Sequence, residues 1–123
     1  MKPKIYRDIV DRLVHECQQG QGQIGPRRVK AGLWNQNARE DCIPDQHKIN
    51  FLLSELSVEQ REILARMLES EFVSGVFETL KALEDYRIEP FLEGYEGSSY
   101  HDFIGRLDNW EWPEKNGKSG SET

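Results

Sequence analysis

The sequence predicts an all-α protein, and three observations carry that prediction. Apolar residues recur every three or four positions over residues 3–18, 45–56 and 58–86, the period of one helix face. Ser57-Val58-Glu59-Gln60 has the form of a capping box, which marks the start of a helix. From there the periodic run continues for about seven turns, long enough to act as the axis of a bundle. The expected fold is a small orthogonal or up-down bundle of about four helices, roughly 3–18, 45–55, 58–86 and 99–109, around the long third one.

In the first helix Ile5, Ile9, Leu13 and Cys17 form a stripe with Tyr6, Val10 and Val14 beside it, and Pro3 suits a first turn, where its missing amide hydrogen costs little. Gly20, Gly22, Gly25 and Pro26 then punctuate a Gln-rich stretch, and residues 19–44 read as a long irregular connection. After Pro44, the residues Ile49, Leu52, Leu53 and Leu56 mark a short amphipathic helix, with Asp45 favourably placed near its positive end. The long helix follows, its apolar positions running from Ile63 to Leu83. Gly75 in its middle predicts either a kink or a close helix crossing. Pro90, Gly94 and Tyr95-Glu96-Gly97-Ser98 read as turns. The last helix is expected near Ser99, with Asp102 at capping-box distance and Phe103, Ile104 and Leu107 packing inward.

With 123 residues the chain has the length of one domain, placed at 1–112, and residues 113–123 carry a polar composition that suits a disordered tail. Hydrophobic residues at 37% and charged residues at 31% describe a folded, soluble chain. No apolar run approaches a membrane span, and the N-terminal lysines are not followed by a secretory apolar segment, so a cytoplasmic location without membrane contact is expected. Cys17 and Cys42 are expected as free thiols.

No catalytic, cofactor-binding or metal-binding motif is present. His15-Glu16 lacks the second histidine of a zinc-protease helix. His15 and Cys17, two apart on a helix, diverge by about 200 degrees and do not meet one ion. Gly20, Gly22 and Gly25 are followed by Pro26, which is the wrong order for a phosphate-cradling loop. Carboxylates are too abundant for any pair of them to signal acid/base chemistry.

Charge is distributed unevenly. Residues 1–54 hold nine basic and six acidic side chains, a net of +3, and residues 55–123 hold seven and sixteen, a net of −9, within a total of −6. This balance disfavours nucleic acid, and the acidic part suits either a basic protein partner or a solvated face that only maintains solubility. Arg27, Arg28, Lys30 and Trp34 form the one compact basic patch with an aromatic, suited to single-stranded nucleic acid or to a solvated loop anchored by its indole. Residues 86–112 are rich in aromatics. In a small helical domain such rings more often close one end of the core, but Tyr95, Trp110 and Trp112 lie in or beside irregular segments, where binding residues concentrate, and with Glu89, Glu93 and Glu96 they are the candidate contact surface.

The run Leu56-Ser57-Val58-Glu59-Gln60-Arg61-Glu62-Ile63-Leu64-Ala65 and the ending His101-Asp102-Phe103-Ile104-Gly105-Arg106-Leu107, closed by Trp112-Pro113, resemble small bacterial proteins of an uncharacterised domain-of-unknown-function family. The resemblance implies a bacterial source and an all-helical fold, and brings no activity with it. The expected function is a non-enzymatic interaction module, an immunity- or regulator-like acidic binder. The alternative is a small-molecule binder or small enzyme with a site between the 19–44 segment and the C-terminal aromatics, using His101 and Asp102. The partner and the oligomeric state are left open.

Overall fold

The computed structural model describes residues 2–113, and the expected polar tail lies almost wholly outside them. The fold is all-α, with α1 at Lys4–Gln18, α2 at Ile24–Ala31, α3 at Pro44–Glu55, α4 at Val58–Asp85 and α5 at Ser99–Leu107. Among the described residues the only sheet-like feature is an isolated bridge between Arg39 and Cys42. No helix among them is long and apolar enough to cross a membrane.

The residues group into two compact units, one comprising those up to His15 with those from Gly75 on, the other Glu16–Ser74. Both α1 and α4 contribute to each. The first unit buries Tyr6, Val10, Leu80, Phe91, Phe103 and Trp112. In the second, Val29, Leu53 and Ala65 form the buried centre, with Trp34, Ile49, Leu56, Leu64 and Leu68 packed against it.

Four of the five helices lie where periodicity and caps predict them. The capping box at Ser57 is reciprocal: the Gln60 amide donates to Ser57 Oγ at 3.0 Å and the Ser57 amide donates to Gln60 Oε1 at 2.9 Å. Such a cap contributes about 1 kcal/mol. At its N-terminal end the face that α1 buries is turned by one residue from the expected stripe, since Tyr6 and Val10 are fully buried and Ile5 is 59% exposed, whereas Cys17 of that stripe is buried as expected. A face broad enough to include both rows does not itself decide which row faces the core.

Residues 19–44 are only partly the irregular loop that their glycines suggest: the stretch from Gly32 to Ile43 is irregular and the part before it is helical. A 3-10 turn at Gln21–Gln23 leads directly into α2. Pro26 sits in the first turn of α2, where no amide donor is required, and Gly32 terminates the helix in the left-handed region at φ 78°. Eight residues are too few to display a convincing period, and a proline near the front of a helix looks like a breaker in sequence. At Gly75, a Cβ would meet nothing within 4 Å, so the glycine does not serve a close helix crossing.

Candidate interaction surface

The segment between α4 and α5 is irregular in backbone yet tightly held, and the holding group is Asp102. This carboxylate is completely buried on the first turn of α5. Its Oδ2 accepts the Tyr6 hydroxyl at 2.6 Å and the Tyr95 amide at 2.8 Å, and its Oδ1 accepts the Glu96 amide at 2.8 Å. A buried carboxylate is tolerated only when such donors replace its hydration. Gly94 is required here, since a Cβ would overlap the Ser98 carbonyl and the Asp102 carboxylate. Burial, followed by the bond to Asp102 and its charge, pushes the Tyr6 hydroxyl far above the ordinary tyrosine range.

The cap of α5 is Ser98 rather than Ser99: Ser98 Oγ accepts the His101 amide at 3.2 Å and lies 2.7 Å from His101 Nδ1. Asp102 therefore does not close the capping box that the sequence suggests, because its oxygens are turned to the 95–96 turn and to Tyr6. A Ser-His contact exists, but no acid among the described residues orients the imidazole as a nucleophilic relay requires. His101 is exposed.

A second carboxylate, Asp11, ties the far end of α5 to α1. Arg106 Nε donates to Asp11 Oδ1 at 2.8 Å, and the Trp112 indole Nε1 lies 3.0 Å from Asp11 Oδ2. Arg106 also donates to the Trp110 carbonyl and stacks 5.6 Å from the Trp112 ring. Trp112 is 0% exposed. It belongs to the core and supports the surface from beneath; it does not line the contact face for which it was a candidate, because its indole N–H finds its partner on α1.

The remaining candidates are brought together. Tyr95 packs against Trp110 with ring centroids 6.5 Å apart, and both rings pack on Trp112. Tyr95 lines an open depression of about 330 Å³ with Lys2, Glu89, Leu92, Glu93 and Gly94. Trp110 lines another, of about 510 Å³, with Glu96, His101, Ile104, Gly105 and Asp108. Both concavities are thus edged by carboxylates and floored partly by aromatic or aliphatic carbon.

Sequence reasoning missed Lys2. Its Nζ donates to the Pro90 carbonyl at 2.8 Å and sits 5.1 Å from the Tyr6 ring centroid, while its backbone amide donates to the Tyr95 hydroxyl at 3.2 Å. Arg7 Nη1 holds the Lys2 carbonyl at 3.2 Å. The long sequence separation between Lys2 and Pro90 leaves no local signal for these contacts.

The fold and this surface define a small all-helical protein whose irregular C-terminal segment is locked by two buried or half-buried aspartates. Residues 1–114 match a family described as a family of unknown function (DUF6547), and the chain belongs to that family. No curated protein and no solved structure is significantly similar to it.

Proposed function

We propose that this protein is a non-enzymatic interaction module that receives a basic protein partner on the face carrying Glu89, Glu93, Tyr95, Glu96 and Trp110. The observation that carries the reading is the pair of carboxylate-edged depressions, one lined by Tyr95 and the other by Trp110, whose rings pack on each other. Aromatic rings held rigid from below provide contact area at little entropic cost, and surrounding carboxylates steer a cationic partner and set its orientation. An inhibitor of a basic toxin, acting in the cytoplasm, is the sharpest form of this reading. The occupied state of Asp102 favours binding over catalysis by the His101-Asp102 pair.

The test compares capture from native lysate by the wild-type chain and by a variant carrying E89K, E93K and E96K. A stoichiometric basic protein held by the wild type, released by moderate salt and lost by the triple variant supports the reading. A partner retained equally by the variant removes this face from the interface.

A further inference from the structure

The basic patch on α2 plays no part in the surface described above, and its setting differs sharply from the rest of the molecule. Between Glu16 and Glu40 there is no acidic residue, while Arg27, Arg28, Lys30 and Arg39 all fall in that stretch. None of Arg27, Arg28 and Lys30 has an ion-pair partner among the described residues. Arg28, Leu33, Trp34, Asn35, Gln36 and Asn37 line a depression of about 370 Å³ to which no carboxylate contributes.

The depression is rigidly framed. Gly32, in the left-handed region, turns the chain so that the Leu33 amide donates back to the Arg28 carbonyl at 3.1 Å. Asn50 on α3 then clamps the segment that follows: its Oδ1 accepts the Trp34 amide at 2.7 Å and the Asn35 amide at 3.0 Å, and its Nδ2 donates to the Asn35 carbonyl at 2.7 Å. Asn35 Nδ2 donates to Gln46 Oε1 at 2.6 Å, and Asn35 Oδ1 accepts the Asn37 amide at 2.9 Å. The side-chain amides of Gln36 and Asn37 are left without a protein partner among the described residues. The Arg28 guanidinium lies over the Trp34 ring, 5.6 Å from its centroid. This contact holds the guanidinium beside the indole, and its N–H groups make no hydrogen bond or ion pair among the described residues, which leaves them available to a planar or tetrahedral oxyanion.

We propose that this depression binds the oxyanion of a small polar molecule, a carboxylate or phosphate group gripped by Arg28, with the neighbouring polar atoms of the ligand met by the amides of Gln36 and Asn37. A volume of this size suits a small molecule. Single-stranded nucleic acid is the less favoured occupant. Base stacking needs an open ring face, whereas Trp34 is packed against the Val29, Leu53 and Ala65 centre and carries Arg28.

The experiment is a titration of the full chain followed by the side-chain amide resonances of Gln36 and Asn37 and the Trp34 indole N–H, at constant ionic strength. The probes are inorganic phosphate, acetate and chloride, with an octathymidylate as a fourth. Saturable shifts with phosphate or acetate and none with chloride are expected, and whichever of the two saturates at lower concentration identifies the group. Arg28→Gln is expected to weaken that binding at least tenfold, Arg28→Lys to weaken it less, and Lys30→Gln to leave it unchanged. Absence of saturation with both anions, shifts that follow chloride equally, a response to the oligonucleotide alone, or an Arg28→Gln variant that titrates like the wild type would each overturn the proposal.

Discussion

The hydroxyl of Tyr6 donates to the carboxylate of Asp102 at 2.6 Å, joining residues 96 positions apart in the chain. Both are 0% exposed. This bond fastens the first turns of α1 to the first turn of α5. Through the other two donors on Asp102 it also fixes the backbone that presents Tyr95 and Glu96. Tyr6→Phe removes one donor of three and is expected to destabilise the fold by about 1.5–3 kcal/mol. Asp102→Ala leaves the Tyr6 hydroxyl and two amides without their acceptor, and about 3 kcal/mol or more is expected. Urea unfolding monitored by circular dichroism measures both, and an Asp102→Ala variant as stable as the wild type contradicts the role assigned to this carboxylate.

Stability should fall at alkaline pH. The Tyr6 hydroxyl is raised well above its unfolded value near 10, and burial, followed by the charge of Glu16, pushes the Cys17 thiol up to about 11. A group raised in the folded state contributes stability that is complete below its unfolded pKa and lost as pH climbs toward the folded one. For Cys17 that window runs from its unfolded value near 9.0 up to about 11, and for Tyr6 it opens near pH 10. Tyr6→Phe should therefore show a shallower decline in urea midpoint above pH 10 than the wild type.

The two cysteines should differ in reactivity. Cys17 is buried and Cys42 is exposed, and neither is bridged. Under native conditions at pH 8, iodoacetamide is expected to label Cys42 and spare Cys17, with both labelled in denaturant. Peptide mass spectrometry distinguishes them, and rapid native labelling of Cys17 would show that the second unit opens on that timescale.

Three glycines should respond in opposite directions. Gly75→Ala meets open space on α4 and is expected to raise stability by about 0.5–1 kcal/mol, through better helix propensity. Gly94→Ala places a methyl group against the Ser98 carbonyl and Asp102, and Gly32→Ala combines a left-handed φ with overlap on the Arg61 guanidinium. Each of these two is expected to cost more than about 1 kcal/mol. Thermal unfolding of the three variants orders them, and a stabilising Gly94→Ala would mean that the 94–98 turn is not held as described.

Much of the architecture is local information. Period, caps and breakers place α1, α3, α4 and α5, because the Ser57-Gln60 box and the spacing from Ile63 to Leu83 act within a few residues of themselves. The same local logic fails at α2, where Pro26 and the neighbouring glycines are helix-compatible only through their position in the first turn and against the 3-10 turn before it. Of the contact candidates, Glu89, Glu93, Tyr95, Glu96 and Trp110 do line concavities, whereas Trp112 does not. An indole in an irregular segment looks the same in sequence whether its N–H meets water or a distant aspartate.

What the sequence determines by itself, then, is the helical class, the main boundaries and the acidic bias of the C-terminal half, all of which follow from residue type and spacing. What only the tertiary structure decides is which polar groups are consumed internally. Asp102 and Asp11 become structural because Tyr6, Arg106 and Trp112 reach them from remote parts of the chain, and Arg28 has no ion-pair partner among the described residues because none of their carboxylates is folded against it. Desolvation makes that distinction: a charge removed from water must find partners wherever the chain brings them, and sequence distance does not report which ones arrive.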